Sequence, residues 1–116
     1  MNIGILGTGS VGRTLATALA GAGHRVQMGT RDPEATLART EPDRFGTPAL
    51  SSWVSEHGDV RLVDFAQAAA GADLVINATA GDVSLQALQA AGSDNLRGKV
   101  LIDVSNPLDF SAGFPP

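Results

Sequence analysis

The chain has 116 residues, of which 43% are hydrophobic, with no cysteine, no tyrosine and a formal net charge of −4 at pH 7. That length fits one globular domain around a single core. Disulfides, thiolate catalysis and cysteine-held metal are excluded, there is no broad basic field for nucleic acid, and no apolar run is long enough to span a bilayer.

The opening run "NIGILG" (2–7) is short, apolar and bounded by glycine, which reads as a buried strand. No basic leader precedes it, so no signal peptide is expected and the protein is expected in the cytoplasm. From Val11 to Ala22 the larger apolar residues Val11, Leu15 and Leu19 recur at helical spacing, with Gly21 and Gly23 as stop signals. "HRVQMG" (24–29) is a second strand, and Asp32 followed by Pro33 is a helix N-cap followed by proline at the first helical position. That helix runs to about Ala38. Residues 40–50 carry two prolines and a glycine and read as a loop, followed by one or two helical turns around Trp53.

Strands at 60–64, 73–78 and 99–104 then alternate with helices at 65–71 and 83–91. Runs such as "LVIN" and "VLID" do not alternate cleanly, as expected of parallel strands covered on both faces. The expected architecture is therefore α/β: a Rossmann-type, doubly wound parallel sheet of five strands in order 3-2-1-4-5, with helices on both faces. The whole of 1–116 is one such domain. The sequence stops just past the fifth strand, so the expectation is the N-terminal part of a longer chain whose substrate-binding portion lies elsewhere.

Between the first strand and first helix stands "GTGSVG", with Gly7, Gly9 and Gly12 in the G-x-G-x-x-G spacing. The motif alone is weak; its place after a strand and before a helix raises it. Gly7 makes the tight turn, Gly9 lets the backbone approach a diphosphate, and Gly12 lets the helix pack on the sheet. The free N–H groups and dipole at the helix start favour the anion.

At the end of the second strand, where an acidic residue often holds a ribose hydroxyl, the sequence has Gly29, Thr30 and Arg31. Thr30 and Arg31 suit a 2′-phosphate, through a hydroxyl and a forked, charge-assisted contact. The expected consequence is roughly tenfold to hundredfold preference for NADP(H) over NAD(H). A solvated surface arginine is the competing reading. Asp32 is read as the helix cap, and Arg13 as a weaker phosphate candidate on the same helix opening.

The ends of the fourth and fifth strands, "NATAG" and "DVSNP", are small or polar. Ala78 and Thr79 leave room for a nicotinamide ribose, and Ser105, Asn106 and Pro107 border the nicotinamide face. Asn77 either takes part or holds its own loop. His24 and His57 read as exposed structural residues, and Trp53 as a packing residue. No catalytic acid, base or nucleophile and no metal site can be assigned.

Taken together, "MNIGILGTGSVG", "MGTRDP", "DLVINATAG" and "DVSNPLDFS" resemble the N-terminal part of the coenzyme F420-dependent NADP reductase family over essentially the whole chain. The "GTRDP" and "DVSNPLDF" pair is the more telling part. The resemblance implies an oxidoreductase that passes hydride between NADP(H) and coenzyme F420 or a similar deazaflavin or flavin. It places Thr8, Gly9, Ser10 and Val11 along the diphosphate turn, Thr30 and Arg31 on the 2′-phosphate, and Ala78, Thr79, Asn106 and Pro107 toward the nicotinamide. Such chemistry asks the protein to orient two cofactors and exclude water. The partners expected are small redox cofactors, with a homodimer for the full-length form. Two other readings stay open: an NADP(H)-dependent dehydrogenase of small hydroxy acids or imines, and an NADP(H)-sensing module without turnover.

Overall fold

Five parallel strands form one sheet in the order β3-β2-β1-β4-β5, with a crossover between each pair consecutive in sequence. The computed structural model describes residues 1–43, 46–106 and 111–112, so Pro107 lies outside the described residues. The strands are β1 (Asn2–Leu6), β2 (Arg25–Thr30), β3 (Val60–Asp64), β4 (Leu74–Asn77) and β5 (Val100–Asp103). Between them run α1 (Ser10–Gly21), α2 (Pro33–Ala38), α3 (Leu50–Glu56), α4 (Phe65–Ala70), α5 (Ser84–Ala91) and α6 (Ser93–Leu96). The expected strand order is the observed one.

Residues of β1 to β4 feed two cores, one on each face of the sheet. Ile3, Ile5, Val26, Met28, Val60 and Ile76 pack with Ala16 of α1, with Leu15, Leu19 and Trp53 against them. On the opposite face Leu6, Val63 and Val75 pack with Ala68, Ala69, Ala72 and Ala91. This second core is thin by design of its residues. A Cβ on Gly4 would stand 2.2 Å from the Ala68 carbonyl oxygen, so α4 rests directly on the backbone of β1. The alanine run in "FAQAAAG" is what permits that approach. Lys99, entering β5, donates through Nζ to the Ala69 and Ala70 carbonyls and so closes the end of α4.

Two elements differ from the sequence reading. The strand β2 continues through Thr30, which pairs with Asp64 of β3, instead of stopping at Gly29. A one-turn helix, α6, follows α5 across Gly92, whose φ is +89°. It is too short and polar to show periodicity, and its tie to α5 is the bond from Asn95 Nδ2 to the Ala91 carbonyl, 2.8 Å. Beyond β4 the apolar cover thins: Val100, Leu101 and Ile102 of β5 are all exposed. No helix among the described residues is long and apolar enough to cross a membrane.

Candidate functional site

The strand order reverses between β1 and β4, and the chain leaves β1 there through Gly7. That is the switch point at which open α/β sheets take ligands. Gly7 donates its N–H to the Gly29 carbonyl at the end of β2, 2.9 Å, and Ala78 donates to the Leu6 carbonyl, 2.8 Å. Three strand ends therefore converge on one turn. Gly7 has a φ of +114°, and a Cβ there would stand 2.6 Å from the Ala78 carbonyl oxygen, so both conformation and space demand glycine. A Cβ on Gly12 would stand 2.6 Å from the Gly7 carbonyl oxygen, so α1 packs against its own entry turn.

Gly9 is different. A Cβ added there meets nothing within 4 Å. It is the N-cap of α1, with no side-chain cap and no acidic residue in the first turn. Among the described residues the N–H groups of Gly9, Ser10 and Val11 donate to no protein acceptor. The start of α1 thus presents an open ledge of unsatisfied donors backed by the positive end of a 12-residue helix. Those are the requirements of a bound phosphate group.

One side chain braces this ledge. Arg13 donates from Nε to the Thr8 carbonyl, 2.7 Å, and from Nη1 to the Pro48 carbonyl ahead of α3. Burial lowers the pKa of its guanidinium, and the nearby Asp43 charge opposes that shift. Arg13 is engaged on backbone carbonyls through two of its donor nitrogens, Nε and Nη1.

At the end of β2 the two candidate residues separate. Thr30 is buried, and its Oγ1 lies 2.8 Å from Thr36 Oγ1. Thr36 donates its own proton to the Asp32 carbonyl, 2.9 Å, so Thr30 must donate to Thr36. The Thr30 hydroxyl proton is therefore committed inside the protein. Arg31 is exposed and makes no hydrogen bond or ion pair among the described residues, where the ion pair found is Arg97 with Asp94, 3.0 Å. Asp32 caps α2 by accepting from the Ala35 N–H, 3.2 Å, as its place before Pro33 predicts. The cap removes the obvious acidic competitor at this strand end.

At the end of β4, Asn77 is wholly buried and organises the turn that follows. Its Oδ1 accepts from the Thr79 hydroxyl, 2.7 Å, and its Nδ2 donates to Ser84 Oγ at the start of α5, 2.6 Å. Of the two roles open to Asn77, the loop-holding one is what the geometry gives. Ser105 extends this network: its Oγ lies 3.3 Å from Ser84 and 2.6 Å from Asp103 Oδ1. Hydrogen bonds from the Ser105 hydroxyl, and then from its N–H, hold the Asp103 carboxyl below its ordinary pKa. Val104 donates to the Asn77 carbonyl, 3.0 Å, so the ends of β4 and β5 are tied side by side. Ala78 is half-buried, Thr79 buried and Asn106 exposed along this edge.

Of the expected residues, Gly7, Thr8, Gly9, Arg31, Ala78 and Thr79 lie in the turns leaving β1, β2 and β4, and Ser10, Val11 and Gly12 form the first turn of α1. Asn106 follows the outer strand β5. Sequence reasoning missed Thr36 and Ser84, which hold Thr30 and Asn77 in place. The signal for Thr36 was its position four residues after Asp32; Ser84 gave no comparable one. A cavity of about 390 Å³, bordered by Asn2, His24, Arg25 and Arg61, lies at the opposite end of the strands. The histidines serve structure: His24 Nδ1 meets the N-terminal amine, 3.3 Å, and His57 stacks on Trp53 with centroids 4.1 Å apart.

A model of the family described as NADP oxidoreductase, coenzyme F420-dependent, matches residues 2–107, nearly the whole chain. The chain belongs to that family. A crystal structure from Arthrobacter sp. FB24, of a protein bearing the provisional name F420-dependent NADP-reductase, superposes with a TM-score of 0.90 at 58% identity. It covers all of this chain, which spans half of that one. Among curated proteins, glycerol-3-phosphate dehydrogenase (NAD(P)+) of Chlorobium luteolum is 29% identical over 114 residues, 97% of this chain and 34% of its own length. Metalloreductase STEAP3 of Rattus norvegicus is 33% identical over 107 residues, 92% of this chain and 18% of the rat protein. The chain therefore spans about a third or less of these curated relatives. The family is one of NADP-binding oxidoreductases, and in this member the uncapped start of α1 and the free Arg31 are the features that fit such a cofactor.

Proposed function

We propose that this domain seats NADP(H) across the β1–β4 switch point and presents its nicotinamide to coenzyme F420 or a similar deazaflavin or flavin in the full-length protein. The observation that carries the reading is the unsatisfied N–H ledge at Gly9, Ser10 and Val11, which offers donors and open space together. In this reading the diphosphate lies on that ledge, and Arg31 takes the 2′-phosphate. Thr30 contributes by fixing the end of β2 through Thr36, with its hydroxyl proton spent inside the protein. Ala78 and the Thr79 turn, held by Asn77, form the floor toward the nicotinamide, with Asn106 beyond it.

NADP(H), when bound, supplies the hydride chemistry. The chain's own residues bind and orient: backbone donors neutralise phosphate charge, Arg31 discriminates the 2′ position, and the small side chains at 78–80 leave room for close approach. None of them is asked to move a proton. The likeness to glycerol-3-phosphate dehydrogenase supports a second reading, reduction of a small carbonyl compound with the same cofactor. Its catalytic side chains would then belong to a part of the protein outside this chain.

The test is to mix the full-length protein with NADPH and oxidised coenzyme F420, then with NADPH and dihydroxyacetone phosphate, following nicotinamide fluorescence. F420-dependent loss of the signal is expected. Loss with the carbonyl compound alone would favour the second reading, and NADPH binding without oxidation by either would contradict both.

A further inference from the structure

Both carbonyls flanking Gly9 are held by the same residue. The backbone N–H of Arg13 donates to the Gly9 carbonyl, 3.0 Å, and its Nε donates to the Thr8 carbonyl, 2.7 Å. In a trans peptide the C=O and N–H point in opposite directions. Fixing the Thr8 carbonyl toward Arg13 therefore sends the Gly9 N–H the other way, and fixing the Gly9 carbonyl does the same for Ser10. Any residue at position 13 would supply the backbone bond. Only a side chain that reaches back five positions supplies the other.

The opposite side of the guanidinium is anchored as well. Nη1 donates to the Pro48 carbonyl, two residues before Leu50, which is buried in the protein. The turn is thus tied to a firm point through one rigid, planar group whose donors serve two acceptors in different directions. Resting on the cofactor reading above, we propose that Arg13 is a positioning residue for the diphosphate: it aims the Thr8–Gly9 peptide so that its N–H faces the ligand, and it makes no direct phosphate contact.

The test compares the unaltered chain with Arg13→Met and Arg13→Lys, titrated with NADPH, with NADH and with 2′-AMP, which has the 2′-phosphate but no diphosphate. Both variants are expected to bind NADPH and NADH about tenfold more weakly, the loss of one charge-assisted contact's worth of organisation. Binding of 2′-AMP is expected to stay unchanged, which also reports that the end of β2 is folded. Full NADPH affinity in Arg13→Met would overturn the inference. So would a parallel fall in 2′-AMP binding, the mark of general loosening. Full affinity in Arg13→Lys would overturn it too, because a lysine can replace a phosphate contact but not a two-carbonyl brace. Failure of the unaltered chain to bind NADPH would bring down the cofactor reading first and this inference with it.

Discussion

Two strand-to-helix turns of this sheet treat the same problem in opposite ways. Every helix begins with backbone N–H groups that have no partner inside the helix. At the start of α4, Asp64 accepts from the Gln67 N–H, 2.7 Å, and the Gln67 side chain accepts from the Asp64 N–H, 3.3 Å. That capping box closes the end internally. At the start of α1 the cap is Gly9, with no side chain and nothing where a side chain would go. Stability alone favours the first solution. On the cofactor reading proposed above, the uncapped start of α1 is the turn that a bound anion would complete.

The sharpest way to break this contrast is to convert one turn into the other. Gly9→Asp would place a carboxylate cap in the open space, and is expected to leave the free protein folded, stabilised by a few tenths of a kcal/mol. NADPH affinity should fall by at least about a hundredfold, since the donors are taken and a like charge sits in the phosphate's place. Calorimetric titration and thermal melting of the same variant read both quantities, and retained binding would remove the ledge from the site.

Next in size is Arg31→Ala, expected to erase a roughly tenfold to hundredfold preference for NADPH over NADH without changing the melting temperature. Removing the hydroxyl at Thr30 by Thr30→Val is expected instead to cost about 1 kcal/mol of stability in denaturant unfolding, through loss of the interior hydrogen bond that Thr36 Oγ1 accepts. Its effect on selectivity should be small. Asp64→Ala completes the comparison: about 1 kcal/mol of stability lost with the cap, and no change in NADPH binding.

The smallest effect concerns pH. The folded pKa of Asp103 is depressed, so its contribution is present above the unfolded value and is lost as pH falls through the folded one. The link from β5 through Ser105 should therefore be intact at neutral pH and loosen only below the ordinary carboxylate range. Amide exchange at Ser105 would follow it, and Asp103→Asn should abolish the dependence.

The fold was legible because its signals are local and redundant. Glycine, an apolar run and a helical pattern coincide at "NIGILGTGSVG", and Asp32-Pro33 announces a helix start that the Ala35 bond confirms. Side-chain commitments were less legible. Thr30 and Arg31 are neighbours with the same apparent fitness for phosphate, yet strand alternation turns Thr30 inward, where only the fold reveals Thr36 above it. The position of Arg13 on the helix opening was visible in the sequence, whereas its reach to Pro48, 35 residues away, was not. The short α6 had no periodicity to read.

The most direct test of the account is a titration of this chain with NADPH and, separately, NADH, followed by calorimetry. Tighter binding of NADPH by roughly tenfold to hundredfold is the expected result. Equal affinities for the two would leave Arg31 without its phosphate and contradict the assignment.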